Sequence, residues 1–187
     1  PDIDLATLAP PIGFTMTGAQ VGDRNGNAVS NAGDVNKDGM DDLLVSAPGA
    51  SPTVDGNVRL QGGTVYVIFG RNFPTSSPNP AVMDFANIEI AGSVFGFAIF
   101  AAAAYDQCGV AVSGAGDLNG DGIDDILIGS LASVKTGSET RNDAGIAYVV
   151  FGRSVSTGAA SYSNIDLDTF TTGGTTQGFR IVGAYTD

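Results

Sequence analysis

Two short stretches of this sequence carry aspartate or asparagine at alternate positions, residues 33–42 (GDVNKDGMDD) and residues 116–125 (GDLNGDGIDD). Numbered from the first aspartate, both have oxygen-bearing side chains at positions 1, 3, 5 and 9, and glycine at position 6. Ca²⁺ takes about six to eight oxygen ligands, and alternate side chains of a tight turn can converge on it where glycine lets the backbone double back. The spacing therefore predicts one Ca²⁺ site in each stretch.

The predicted ligands are the side chains at positions 1, 3, 5 and 9 and the backbone carbonyl at position 7. They are Asp34, Asn36, Asp38, Met40 and Asp42 in the first loop, and Asp117, Asn119, Asp121, Ile123 and Asp125 in the second. The residues at position 8, Asp41 and Asp124, are not expected to be ligands. A plain turn is the competing interpretation, because aspartate and asparagine also cap turns through their own backbone. Two matched copies favour the cation, since clustered carboxylates repel one another without one.

A β-hairpin is predicted to hold each loop. The acidic closure falls at position 9, whereas an EF-hand needs glutamate at position 12, where Val45 and Ile128 stand. Short apolar runs rich in β-branched residues flank both loops, which is typical of strands.

The loops are part of a longer internal repeat. Residues 26–42 and 109–125 are identical at 12 of 17 positions, with an offset of 83. Further along, residues 63–71 reappear as residues 145–153, with an offset of 82. Each unit reads as four short strands: one before the loop, one after it, a tyrosine-containing strand that ends in Phe-Gly-Arg, and one around a Gly-Phe pair. Four strands per repeat is the layout of a β-propeller blade.

The sequence resembles the FG-GAP repeats of integrin α-subunit propellers and their relatives. The resemblance is carried by residues 32–39 in the first loop, residues 45–48 (VSAP) and residues 66–70 (YVIFG). The second copy has Gly-Ser-Leu at residues 129–131, where alanine and proline are expected. The resemblance implies an all-β fold of antiparallel four-stranded propeller blades. It also implies a secreted, extracellular or cell-surface, Ca²⁺-stabilised module for adhesion or scaffolding, without catalytic chemistry of its own.

The repeat phase predicts four segments. Residues 1–13 end a preceding repeat, residues 14–95 form the first blade, residues 96–177 form the second, and residues 178–187 begin a third. A closed propeller needs about four to eight blades, so these 187 residues predict an incomplete propeller. The chain is then a piece of a longer array, the ordered part of one, or a unit that assembles head to tail with copies of itself. We favour the longer array.

Composition narrows the classes of partner. The net charge is −12, with 18 aspartates and 2 glutamates against 8 basic residues, so nucleic-acid binding is not expected. No apolar stretch approaches the roughly 20 residues of a membrane span, so membrane insertion is not expected. The chain has no histidine, which removes the commonest general base, and we expect no enzymatic activity.

Partners are expected at the connectors between strands, since loops carry binding more often than strands do. A protein or glycan ligand would contact the four long connectors, residues 50–62, 72–80, 131–145 and 154–163. Two alternatives to an adhesion or assembly module stay open: a lectin-like, carbohydrate-binding propeller, and a non-catalytic appendage of a secreted hydrolase. The phenylalanines that recur in phase are expected to pack between neighbouring blades. They are Phe14, Phe69, Phe97, Phe151 and Phe179.

Overall fold

The structure, a computed structural model, describes residues 13–71, 82–90, 93–132, 134–136, 139–141, 144–154, 162–170 and 174–183. Fifteen strands run through these residues. They are β1 (Thr15–Thr17), β2 (Val29–Gly33), β3 (Asp42–Ala47), β4 (Thr53–Val54), β5 (Asn57–Val58), β6 (Thr64–Ile68), β7 (Val82–Asp84), β8 (Gly96–Phe100), β9 (Ala111–Gly116), β10 (Asp125–Ser130), β11 (Val134–Thr136), β12 (Glu139–Arg141), β13 (Ile146–Val150), β14 (Ile165–Asp166) and β15 (Gly178–Val182). Two 3-10 turns, Phe85–Asn87 and Leu167–Thr169, are the helical elements of the described residues.

Some of the segments predicted from the sequence lie outside the described residues. They are residues 1–12 of the preceding repeat, the connector 72–80, residues 133, 137–138 and 142–143 of the connector 131–145, residues 155–161 of the connector 154–163, and residues 184–187 of the third repeat.

Two antiparallel four-stranded units dominate the fold. The first has the strand order β2-β3-β6-β8, and the second has the order β9-β10-β13-β15. In the structure, these two sheets are called the first blade and the second blade. Small hairpins, β4-β5 and β11-β12, occupy the connectors between the second and third strands. The all-β class and the antiparallel four-stranded blades predicted from the sequence are confirmed. The described strands do not close into a barrel.

Each sheet contains strands from two successive periods of the sequence repeat. Gly96–Phe100, which opens the second unit when the chain is divided by period, is hydrogen-bonded to β6 and is the fourth strand of the first sheet. The corresponding strand of the second sheet is β15.

The main hydrophobic core lies between the two blades. Alternate residues of a strand point to opposite faces. Val65 and Val67 belong to the core that also contains Ile128 and Tyr148 of the second blade. Their neighbour Tyr66 belongs to a second cluster on the opposite face of the first blade. All five residues of β6 are buried, so the first blade is packed on both faces.

Aromatic rings join the two blades. The ring of Phe97, on the first blade, stacks on that of Tyr162 at a centroid distance of 4.8 Å, and Phe69 lies 4.9 Å from the same tyrosine. Phe151 and Phe179 make an edge contact at 6.0 Å. The prediction that the recurring phenylalanines pack between neighbouring blades is confirmed for Phe69 and Phe97.

A short parallel strand connects each unit to the one before it. β14 pairs in parallel with β8, with Ile165 beside Ile99. β7 pairs in parallel with β1 in the equivalent register, with Met83 beside Met16. The segment that precedes the fourth strand of one unit therefore extends the sheet of the preceding unit.

An ion pair fastens this connection. The guanidinium of Arg59 donates to both carboxylate oxygens of Asp166, at 2.5 and 2.8 Å, and also to the backbone oxygen of Ala101. Its side chain is 14% exposed and that of Asp166 is 23% exposed. Burial raises the pKa of Asp166, but the hydrogen bonds from Arg59 and the Asp168 amide outweigh it and hold the pKa below its usual value. Asn164 adds two hydrogen bonds, accepting from the Ala98 amide and donating to the Glu89 carbonyl.

We predict that Asp166→Asn lowers the free energy of unfolding by about 1–2 kcal/mol at neutral pH, because it removes the charge that pairs with Arg59. The folded-state pKa of Asp166 is depressed, so its contribution is present above the unfolded pKa of about 4 and is lost as the pH falls through the folded pKa. Urea unfolding of both proteins at pH 7 and pH 3 measures the difference. Asp55→Asn, at an exposed position, is the control. An equal loss at both pH values would contradict the ion-pair explanation.

Candidate metal sites

Both aspartate-rich loops connect neighbouring antiparallel strands, β2 to β3 and β9 to β10. The predicted β-hairpins are therefore confirmed. Each hairpin has a register shift beside its loop, where Gly33 faces Asp42 and Gly116 faces Asp125. Such a bulge re-aims the chain at the end of a strand.

Glycine at position 6 is required by backbone conformation. Gly39 has φ of 89° and Gly122 has φ of 81°, a region that side chains with a Cβ rarely adopt. A Cβ at Gly39 would meet nothing within 4 Å, so space does not exclude a side chain there.

In the first loop, the predicted ligand side chains hydrogen-bond to the loop itself. Asp34 accepts from the amides of Asp38 (3.0 Å) and Gly39 (2.9 Å). Asn36 Oδ1 accepts from the Asp38 amide, and its Nδ2 donates to Asp38 Oδ2 at 2.9 Å. Asp38 Oδ1 accepts from the Met40 amide at 2.9 Å. The side chains at positions 1, 3 and 5 thus lie on the same turn.

The second loop repeats this pattern contact by contact. Asp117 accepts from the amides of Asp121 (3.0 Å) and Gly122 (2.8 Å). Asn119 accepts from the Asp121 amide and donates to Asp121 Oδ2. Asp121 accepts from the Ile123 amide at 2.9 Å. Within the described residues, however, no group of three or more Asp, Glu or Cys side chains has an arrangement that would hold a metal ion.

The position-9 carboxylates are fully buried, and their hydrogen bonds join each loop to the end of the third strand of the same blade. Asp42 accepts from the amides of Gly70 (2.8 Å) and Val35 (3.0 Å). Asp125 accepts from the corresponding amides of Gly152 (2.9 Å) and Leu118 (2.8 Å). The hydrogen bonds to both oxygens fix the side chain against the loop.

The ionisation of Asp42 reflects this burial. Burial raises its pKa to about 7, although the amides of Gly70 and Val35 act in the opposite direction. The negative charges of Asp38 and Asp34 raise it further. The first loop thus concentrates negative charge beside a buried carboxyl group.

The position-8 side chains make contacts outside their own loops. Asp41 accepts from Asn31 Nδ2 at 3.2 Å. Asp124 reaches the first blade, where it accepts from the Asp34 amide at 2.9 Å. A Cβ at Gly33 would overlap this carboxylate, so the contact requires glycine. The second loop is therefore bound to the first.

Sequence reasoning missed the residues that join the units, namely Arg59, Asn164 and Asp166. A signal was present, because Arg59 recurs as Arg141 at the offset of 82. The triplet Ile-Asp-Leu also occurs twice, at residues 3–5 and 165–167.

Asp23 and Glu89 form a further acidic pair, and both line a cleft of about 380 Å³ together with Asn164 and Ser51. Both are hydrogen-bonded: Asp23 accepts from the Gln20 amide, and Glu89 accepts from the Tyr66 hydroxyl at 2.6 Å.

Comparison with known proteins matches the repeats directly. The family profile described as FG-GAP repeat matches residues 25–68 and 109–150. Integrin alpha pat-2 of Caenorhabditis elegans is 34% identical over 124 residues, which is 62% of this chain and 8% of the relative. Integrin alpha-IIb of Mus musculus is 31% identical over 121 residues, which is 64% of this chain and 10% of the relative. The match therefore spans about a tenth of the length of these relatives. The resemblance inferred from the loops is confirmed: the chain contains two FG-GAP repeats, at residues 25–68 and 109–150, and is similar to these integrin α chains.

Proposed function

We propose that this chain is an extracellular, calcium-binding, integrin-like FG-GAP module that acts in adhesion or as a structural and assembly unit, without catalysis. The observation that carries the proposal is the pair of aspartate loops with matching hydrogen bonds, set in two FG-GAP repeats. Its partners are a protein or glycan ligand at the inter-strand loops, further repeats, or another copy of the chain.

The donor chemistry of the loops fits Ca²⁺. Each loop offers three carboxylates, one amide oxygen and the backbone carbonyl of position 7, all hard oxygen donors. The hydrogen bonds to backbone amides leave lone pairs on the carboxylates, because an ionised carboxylate has about four acceptor sites. A bound cation would supply positive charge, which favours the ionised form of Asp42.

Cation binding at the first loop would also support the contact between the blades. The backbone of this loop contacts the second unit at the Val35 carbonyl. The Arg153 amide donates to this carbonyl (3.0 Å), and the Tyr162 hydroxyl, which also contacts the Arg153 carbonyl, lies 3.2 Å from it. The Asp34 amide in turn donates to Asp124. A cation that orders the loop would order these groups together.

Two buried titratable groups, Cys108 and Asp106, support a role without catalysis. Burial raises the pKa of the Cys108 thiol well above its usual value, so the thiol is protonated and a poor nucleophile. The carboxylate of Asp106 accepts from the Ala103 amide, and burial raises its pKa. The buried groups are thus engaged in the fold.

The extracellular assignment rests on the integrin α relatives and on calcium use, since extracellular modules bind Ca²⁺ at roughly 10⁻⁴ to 10⁻³ M. In the described part of the chain, no helix combines the length and the apolar character needed to cross a membrane.

Carbohydrate binding is the second candidate, favoured by the polar cleft that contains Asp23, Glu89 and Asn164. Sugars are bound by such sets of carboxylate and amide groups beside a ring, and Phe100 lines the same cleft. Saturable binding on a glycan array that is abolished by Gln20→Ala, at an exposed residue of the same cleft, would favour this function over adhesion through protein contacts.

We predict that Ca²⁺ raises the melting temperature and that a chelator reverses the increase. A ligand that binds the folded state alone stabilises it by about 2.7 kcal/mol per site at a hundredfold excess over Kd. Calorimetric titration of chelator-treated protein should give two bound ions per chain, one per loop. Mg²⁺ at equal concentration is the control for ionic strength, and the same melting temperature in Ca²⁺ and chelator would contradict the calcium assignment.

We predict that Asp38→Ala and Asp121→Ala each remove one of the two bound ions. Because Asp38 also accepts the Met40 amide, its loss destabilises the loop even without a cation, so the informative quantity is the Ca²⁺-dependent part of the melting temperature. Asp41→Ala is the matched control, since position 8 lies in the same loop and its side chain contacts Asn31. If Asp41→Ala and Asp38→Ala reduce the Ca²⁺ response equally, the proposed ligand set is wrong.

A further inference from the structure

The last strand of the second blade is exposed where its counterpart in the first blade is covered. Ile99 on β8 is 0% exposed, whereas Ile181, at the same place on β15, is 55% exposed. On the second strands of the two blades, β3 and β10, Leu44 is 0% exposed, whereas its counterpart Leu127 is 38% exposed. In the first blade this region is covered by β14 and the second sheet. Among the described strands, β15 is hydrogen-bonded along one edge alone, to β13.

A second arginine stands beside this edge. Arg59 donates to the carbonyl of Ala101, and its counterpart in the second repeat, Arg141, donates to the carbonyl of Gly183, the counterpart of Ala101, at 3.0 Å. Arg59 also binds Asp166 of the docked β14 strand. Within the described residues, Arg141 has no carboxylate in ion-pair distance, and its Nε is buried without a hydrogen-bond partner. A buried unpaired donor destabilises the fold, so this site favours an incoming acceptor.

The pairing of β14 with β8 indicates which segment would fit the outer edge of β15. The strand that covers β8 has the sequence Asn-Ile-Asp-Leu at residues 164–167, and its isoleucine lies beside Ile99 while its aspartate binds Arg59. The sequence Asp-Ile-Asp-Leu at residues 2–5 differs from it at the first position alone. At this first position, Asn164 Oδ1 accepts a hydrogen bond from the Ala98 amide. An aspartate oxygen can accept the same hydrogen bond.

We propose that the outer edge of β15, with Arg141 and Ile181, is a docking site for residues 2–5 of a second copy of this chain. The segment adds to the sheet as a parallel strand, with Ile3 beside Ile181 and Asp4 paired with Arg141. Exposed sheet edges bind extended segments in this way, with backbone hydrogen bonds for affinity and side-chain pockets for specificity.

The geometry of this contact leads to head-to-tail assembly. The docking edge and the docking segment are different parts of the sequence, so the contact is heterologous and extends into a ring or a filament. This docking contact deepens the assembly role proposed above and rests on it. The outer edge of β15 contains no aspartate of either loop. The docking test is made both in Ca²⁺ and in chelator, so that its result does not depend on whether the loops bind calcium.

The test uses the full chain and a synthetic peptide of residues 1–9 that carries a fluorophore at its carboxyl end. The peptide should bind the chain by fluorescence anisotropy. The Asp4→Asn peptide should bind about tenfold more weakly, because a charge-assisted hydrogen bond is lost. Both peptides should bind Arg141→Gln equally, since the partner of Asp4 is then gone. Arg24→Gln, which removes an exposed positive charge elsewhere, should behave as the unmodified chain.

Light scattering over a wide concentration range tests the assembly itself. The unmodified chain should rise above its monomer mass of 18.8 kDa, and excess peptide should return it to that mass. Arg141→Gln and Ile181→Asp should both stay monomeric, with circular dichroism used to verify that each is folded. A monomer at every concentration, or a peptide that binds Arg141→Gln as tightly as the unmodified chain, overturns the proposal.

Discussion

The buried carboxylate at loop position 9 is the interaction on which the architecture of each unit depends. Asp42 and Asp125 are both 0% exposed, and each uses its two oxygens to bind one amide from its own loop and one from the glycine after the third strand. These bonds hold the hairpin loop against the end of strand three, and the loop backbone then lies where the neighbouring blade can contact it. Because this buried carboxylate accepts hydrogen bonds from both the loop and the end of the third strand, the position of the loop depends on that of the strand.

Close backbone contacts explain why glycine follows phenylalanine at the end of the third strand. A Cβ at Gly70 would clash with the Asp41 carbonyl oxygen, and one at Gly152 would clash with the Asp124 carbonyl oxygen. The glycine amides at these positions also donate to the buried position-9 carboxylates. The Phe-Gly element and the aspartate loop are therefore two halves of one packing arrangement, although they lie far apart in the chain.

The sequence predicts the parts of the fold that local pattern and repetition determine. The hairpin loops follow from alternating aspartates between β-branched runs, and the four-stranded blades follow from the internal repeat. The Arg59–Asp166 pair, 107 residues apart, was missed because its members meet only when one unit extends the sheet of another. The same holds for Asp124 and the Asp34 amide, 90 residues apart. The sequence identifies the oxygen-bearing residues of the loops. It does not reveal which hydrogen bonds their oxygens make, because those depend on backbone geometry.

Two loops of nearly identical sequence occupy different environments, and the difference isolates what a neighbouring blade contributes. Val35 in the first loop is 1% exposed, while Leu118 at the same position of the second is 56% exposed. Asn36 is 5% exposed, whereas Asn119 is exposed. The second blade covers the first loop and restricts its motion, so part of the ordering entropy of that loop is lost on folding, before any ligand arrives. The second loop has the same donors without that cover. A difference in Ca²⁺ affinity between the two loops would therefore measure the effect of the neighbouring blade, since both loops offer the same donor groups.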